Sequence, residues 1–239
     1  MVDGALEWWS LAGVDADFAE EPCDWLEVPA DVAKPEVAPP PAPRRQTAHQ
    51  RAVSRTSNAT FGGPADAWPK TFEDFAQFWA SEPSLDGNLT RPRIAARGPV
   101  GAKLMTLVAM PEENDTERLL SGREGALLSS FLSAASLDED AVRIASILPC
   151  RTVAPDWSRA GENGVADFTR HHIALARPQR LLVFGKGLKP ALGLADGEAA
   201  LALGDLTVPV IFAPRLDRLL RQPRQRKQFW NQWLEWTAE

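Results

Sequence analysis

Three carboxylates crowd the turn Met110-Pro-Glu-Glu-Asn-Asp115, namely Glu112, Glu113 and Asp115. Acids this close together can activate a water molecule or carry a proton, the two services a hydrolytic site asks of a carboxylate. They follow Leu104–Val108, an apolar run of strand length, and precede a helix start at Gly122-Arg-Glu-Gly. In an open α/β sheet, ligands collect at the carboxyl ends of strands, so chemistry is expected at this turn. Acids near a helix start are also favoured by the helix dipole with no catalysis involved, and that is the commoner reason for finding them. The remainder of the turn, Ala109, Met110 and Pro111, is an odd set for an enzyme.

Other residue types that could do chemistry are few. Cys23 and Cys150 are the only cysteines and have no metal-ligand spacing, which excludes a four-cysteine zinc or iron–sulfur site. No metal and no cofactor is expected. His49 lies in a polar tract, and His171 and His172 fall on a helix away from the strand ends, where packing is the expected role. Gly185-Lys-Gly could present backbone amides to a phosphate but lacks the flanking pattern of a nucleotide-binding loop. The stretch Arg215–Lys227 holds Arg215, Arg218, Arg221, Arg224, Arg226 and Lys227 against Asp217 alone. Such a stripe can face nucleic-acid phosphates or simply be a solvated helix face.

The elements that would position these groups alternate. Thr71-Phe-Glu-Asp-Phe-Ala-Gln-Phe-Trp has an N-cap and an apolar face at helical spacing. Strands are expected at Leu104–Val108, Val142–Leu148, Arg180–Phe184 and Val208–Phe212, with helices at 122–136, 164–176, 215–220 and 224–236. Alternation of this kind predicts a three-layer α/β domain, an open parallel sheet of about four strands with helices on both faces.

Ahead of that domain, at residues 70–239, the sequence changes character. The first 40 residues carry ten acids and one lysine, net −9, while residues 41–60 carry four arginines and no acid. Residues 3–13 form a short amphipathic pattern with Asp3 as N-cap and Gly13 as stop. Two adjacent tryptophans in so short a helix point to a docking peptide over 1–19 that offers Leu6, Trp8, Trp9, Leu11 and Val14 to a protein partner. Folding back onto its own domain is the alternative. The tract 20–69, rich in Pro and Arg, reads as a disordered linker. No apolar run reaches the roughly 20 residues of a membrane span. The N-terminus is acidic where a signal peptide is basic, and a cytoplasmic protein is expected.

Four segments in order carry a resemblance: Gly98-Pro-Val-Gly-Ala-Lys-Leu-Met, Gly122-Arg-Glu-Gly-Ala-Leu-Leu, Arg177-Pro-Gln-Arg-Leu-Leu-Val-Phe-Gly, and the stretch from Val208-Pro-Val through Pro214 to Pro223. Together they resemble the bacterial iron–sulfur uracil-DNA glycosylases over about residues 98–236. The second segment is similar to their Gly-Arg-Ala-Gly-x-Leu-Leu helix start. The resemblance implies their fold, but not their chemistry. The family's water-positioning acid corresponds to Ala109, the base-stacking phenylalanine to Leu120 or Ser121, the uracil-reading asparagine to Ser146, and the uracil-binding histidine to Ala213. A methyl group can neither donate a hydrogen bond nor accept a proton, and base excision needs both a flipped-base pocket and a stabilised leaving anion.

Glu7-Trp-Trp-Ser-Leu-Ala-Gly-Val-Asp15 and Arg226-Lys-Gln-Phe-Trp-Asn-Gln-Trp233 also resemble the two ends of the psi subunit of bacterial DNA polymerase III. That subunit is a non-enzymatic relative of the glycosylase fold, anchored to the clamp loader by its N-terminal peptide. The sequence therefore suggests a catalytically silent glycosylase-like adaptor of DNA replication or repair, with DNA contact possible on the basic stretch. The alternative is an active uracil or damaged-base glycosylase using Glu112, Glu113 or Asp115.

Overall fold

A computed structural model describes residues 60–85 and 92–238. The chain divides into Met1–Gln46 and Thr47–Glu239, and every described residue belongs to the second unit. The expectations for the helix with Leu6, Trp8, Trp9, Leu11 and Val14, and for most of the tract 20–69, lie outside the described residues.

Five strands form one sheet, β1 (Met105–Val108), β2 (Arg143–Ser146), β3 (Leu181–Phe184), β4 (Ala200–Leu203) and β5 (Leu206–Ala213), in the order β2-β1-β3-β5-β4. The first four in that order run parallel, with Val108 level with Ser146 on one side and Phe184 on the other, and Phe184 level with Ala213. These parallel strands are the four expected from the sequence. The fifth, β4, pairs antiparallel with β5 through a tight turn at Gly204-Asp205. It escapes a hydropathy reading because only Leu201 of Ala-Leu-Ala-Leu is fully buried. Pro209 sits in β5 at an exposed position below Val210, where pairing with β3 begins, so its missing N–H removes no rung of that ladder.

Alternating side chains of the sheet feed two cores. Met105, Leu107, Leu181, Val183, Val210 and Phe212 face α1 (Phe72–Ser81) and α3 (Val165–Ala176). Val108, Leu182, Phe184, Ile211 and Ala213 face α2 (Arg123–Ala134), α4 (Leu216–Arg221) and α5 (Pro223–Ala238). The result is the expected three-layer α/β domain. The strands read as unbroken apolar runs because both faces are covered.

Helix α1 starts as its sequence dictates, with Thr71 Oγ1 accepting from the Asp74 amide at 3.2 Å. Its apolar face carries Phe75 and Trp79 onto α3, where Phe168 lies at the centre of a ring cluster. Phe61 and Trp68 join that cluster edge-on to Phe168, at 5.4 and 5.3 Å between ring centroids. Packed chain thus begins at least nine residues before the boundary set at residue 70. Composition hides this, since two aromatic anchors are averaged away among glycines and prolines, although a buried ring of this size stabilises by about 1.5–3 kcal/mol.

One feature of this layer is invisible in the sequence. His172 on α3 is 2% exposed and stacks on Phe75 at 4.4 Å, and its Nε2 has no hydrogen-bond partner. Arg143, at the start of β2, is equally buried. Its guanidinium lies 4.2 Å over the Phe72 ring and donates to the Gly98 carbonyl at 2.7 Å, while its Nε is unpartnered. Burial lowers the arginine's pKa to about 10. Burial first, then the positive Arg143 and neighbouring His171, hold the His172 pKa down at about 3.

The unfolded chain therefore takes up a proton at this histidine near pH 6.5, whereas the folded protein does not until about pH 3. Stability from this group is complete above pH 6.5 and drains away as pH falls toward 3, with a limiting slope of ~1.4 kcal/mol per pH unit. Chemical denaturation across that range is expected to show His172→Phe losing less stability than the parent, because phenylalanine keeps the stack and cannot be protonated. Equal slopes for the two proteins would refute the assignment.

Candidate functional site

The chain leaves β1, passes through α2 to β2 on one side, then crosses over through α3 to β3 on the other side of β1. The carboxyl ends of β1 and β3 consequently part company, and a crevice opens between them as open α/β sheets require. Val108, Ala109 and Met110 line it from β1, and Phe184 and Gly185 line it from β3. Its volume is about 510 Å³. Glu124 from α2, Arg151 and Trp157 from the loop after β2, and Arg215 ahead of α4 complete its walls. The crevice opens beside the turn singled out in the sequence, but its acid is Glu124, and of the basic stretch only Arg215 lines it.

The acidic turn is built into the frame of the crevice. Asp115 is 6% exposed, and its carboxylate accepts from the backbone amides of Glu112, Leu120 and Ser121, each at 2.8 Å, and from the Ser121 hydroxyl at 2.6 Å. Glu112 accepts from the amides of Gly122 at 2.6 Å and Glu124 at 2.7 Å, which are first-turn donors of α2 with no partner inside the helix. A carboxylate at that end is also favoured by the helix dipole. Glu113 is exposed. None of the three lines the crevice. The hydrogen bonds show Glu112 capping the start of α2 and Asp115 holding the turn ahead of it.

The same turn explains the glycine pattern. A Cβ on Gly125 would fall 1.8 Å from the Leu120 carbonyl oxygen, so only glycine lets the helix start pack under the turn. Leu120 itself holds a left-handed backbone, φ 55°, which the hydrogen bond from its N–H to the Asp115 carboxylate secures. Leu120 is buried, and Ser121 is spent on Asp115.

Glu124 is the acid that the sequence reading passed over. It occupies the alanine position of the Gly-Arg-Ala-Gly pattern, and that departure was the available signal. Its pKa is raised, chiefly by burial and then by the negative Glu112 and Asp217, with Arg215 and Arg151 opposing. Half-buried beside two guanidinium groups, it can hold a proton, donate a hydrogen bond or pair with an arginine. Arg151 and Trp157 were also missed, because they belong to an irregular loop with no period to read.

The remaining predicted residues scatter. Ala213 ends β5 fully buried, its carbonyl accepting from the Gly185 amide at 2.9 Å. That bond withdraws one of the amides that Gly185-Lys-Gly might have offered a phosphate. Ser146 donates to the Leu148 carbonyl at 2.8 Å. The basic stretch divides between two hollows. Arg215 and Arg218 line one of about 310 Å³ with Lys186, Gln225 and Gln228. Arg226 and Lys227 line another, and Arg221 and Arg224 line neither. Arg226 also closes α4 by donating to the Leu219 carbonyl at 2.9 Å. Among the described residues no group of three or more His, Cys, Asp or Glu could hold a metal ion, and no helix is long and apolar enough to cross a membrane.

An open, largely parallel sheet with a crevice at its β1–β3 switch point defines a class of ligand-binding α/β domains rather than one protein. The family follows from the sequence match: residues 95–237, more than half of the chain, match the model of the uracil DNA glycosylase superfamily, and the chain belongs to that superfamily. No curated protein matches it.

If Asp115 is a structural acceptor, Asp115→Ala strands three amides and costs about 2–4 kcal/mol of stability. Glu113→Ala on the same turn should change stability by less than about 0.5 kcal/mol. Urea denaturation of the two variants checks this, and similar small effects for both would remove Asp115 from that role.

Proposed function

We propose that this superfamily member is catalytically silent and serves as an accessory or adaptor protein in DNA replication or repair. The observation that carries the reading is the crevice itself. Its β1 wall presents the methyl group of Ala109 where the family's acid would stand. The position matching the family's histidine is Ala213, buried at the end of β5 and outside the crevice lining. Glu112 and Asp115 of the acidic turn are engaged by backbone amides and do not line the crevice. Residue type leaves no side-chain donor at the position matching the family's histidine, where a leaving uracil anion would need one, although Arg151, Thr152 and Arg215 line other parts of the crevice.

In this reading the protein partner is held by Leu6, Trp8, Trp9, Leu11 and Val14, as the psi-like sequence suggests for a clamp-loader assembly. DNA contact falls to the basic residues. Arg215 and Arg218 with Lys186 are the better placed for phosphate, since they share one hollow that adjoins the crevice. Arg221, Arg224, Arg226 and Lys227 would add a diffuse positive field.

A specific observation keeps a second reading in play. The Glu124 carboxyl lines the crevice and binds its proton more tightly than a free glutamate. An active uracil or damaged-base glycosylase could use that group as its acid, in place of Glu112, Glu113 or Asp115.

The test is a glycosylase assay on single- and double-stranded uracil oligonucleotides at high protein concentration, with a genuine glycosylase as control. No base release is expected. Release that disappears in Glu124→Gln would establish the second reading. For the adaptor role, Trp8→Ala combined with Trp9→Ala is expected to abolish co-purification of a replication or repair protein, and unchanged recovery would defeat it.

A further inference from the structure

Beside the crevice, with which it shares Phe184 and Leu216, α2, α4 and α5 leave an open groove of about 360 Å³. Its walls are Leu127 and Phe131 of α2, Leu219 of α4 and Trp230 of α5, with Phe184 and Phe229 beneath. Leu127, Phe131 and Trp230 are only half-buried, so large apolar side chains remain partly in water. Arg226 and Lys227 stand at its edge, both exposed. The crevice and its chemistry have no use for this groove, which a monomeric domain would be expected to close.

We infer that the groove is a docking site for an acidic peptide of another protein, one that inserts bulky apolar side chains between α2 and α5 and sets carboxylates against Arg226 and Lys227. Charge decides the occupant. The groove floor is apolar, but every charge on its lining is positive, and Arg221 and Arg224 extend the same sign along α4 and α5. Nucleic acid would match the rim but bring phosphates to a floor of leucine and aromatic carbon. A peptide that joins a Phe-Leu pair to aspartates satisfies both parts, as helix-in-groove partners do with a few apolar anchors. The rim would mainly set the on-rate and salt dependence, and the anchors the residence time.

Fluorescence anisotropy with the full-length protein tests this, using a fluorescein-labelled peptide in which Phe-Leu is flanked on each side by two aspartates. Saturable binding in the micromolar range is expected. Leu127→Gln and Lys227→Glu should each weaken it about tenfold, a change of ~1.4 kcal/mol. The surface variant Lys227→Glu keeps the test valid should Leu127→Gln disturb folding, which circular dichroism would reveal. Replacing the aspartates by asparagine should weaken binding as well. Absence of saturable binding overturns the inference. So does binding that Leu127→Gln leaves unchanged, since that would be ion exchange on the basic stripe. An oligonucleotide that displaces the peptide, with an affinity sensitive to both substitutions, would assign the groove to nucleic acid instead. A rise in peptide affinity on Trp8→Ala with Trp9→Ala would assign it to the chain's own acidic segment and likewise refute an outside partner.

Discussion

The carboxylate of Asp115 gathers the turn between β1 and α2 around itself, and the placement of the crevice depends on that gathering. Three backbone amides and a hydroxyl converge on one side chain that is almost out of water. Each such charge-assisted bond is stronger than a neutral one, and each amide would be costly to bury unpaired. Once Asp115 holds Leu120 and Ser121, Gly122 is delivered to Glu112, which caps α2 in turn. Gly125 then fits beneath the Leu120 carbonyl, and Glu124 lines the crevice. The acids that look most chemical in the sequence are what hold the site's walls in place.

The opposite layer carries an unusual electrostatic load. Arg143 and His172 are both buried, each with one unpartnered nitrogen, under aromatic rings of α1. Burial and the nearby arginine keep the histidine neutral. Helix α1 and its aromatic face thus rest on a surface that protonation would make repulsive. This arrangement ties the helix that opens the domain to the pH of its surroundings without involving the crevice.

Membership in the uracil DNA glycosylase superfamily fixes the scaffold and leaves the activity to the site. The mostly parallel five-stranded sheet flanked by helices is consistent with that scaffold, with a crevice at the switch point and a glycine that seats α2. The crevice carries the methyl group of Ala109 from β1 and the carboxyl of Glu124 from α2, while Ala213 lies buried at the end of β5. The apolar groove with its basic rim shares Phe184 and Leu216 with the crevice, so the two hollows back onto the same side chains.

The sequence by itself determined the layers. Apolar runs of strand length alternating with helical periods leave few options but a covered parallel sheet, and four strands and five helices emerge close to their expected positions. It also determined that Ala109 and Ala213 are chemically inert, since residue type alone settles what a methyl group can do. Tertiary structure decided which polar groups are available. Glu112 and Asp115 differ from Glu124 only in where their oxygens point, and sequence spacing does not encode the capture of a carboxylate by amides up to twelve residues away. It also decided the fate of the basic stripe. The break at Gln222-Pro223 between α4 and α5 sends Arg215 and Arg218 to one hollow and Arg226 and Lys227 to another. Arg143 and His172 come within electrostatic reach because β2 and α3 both pack under rings of α1, Phe72 over the one and Phe75 against the other, a juxtaposition that no local pattern records.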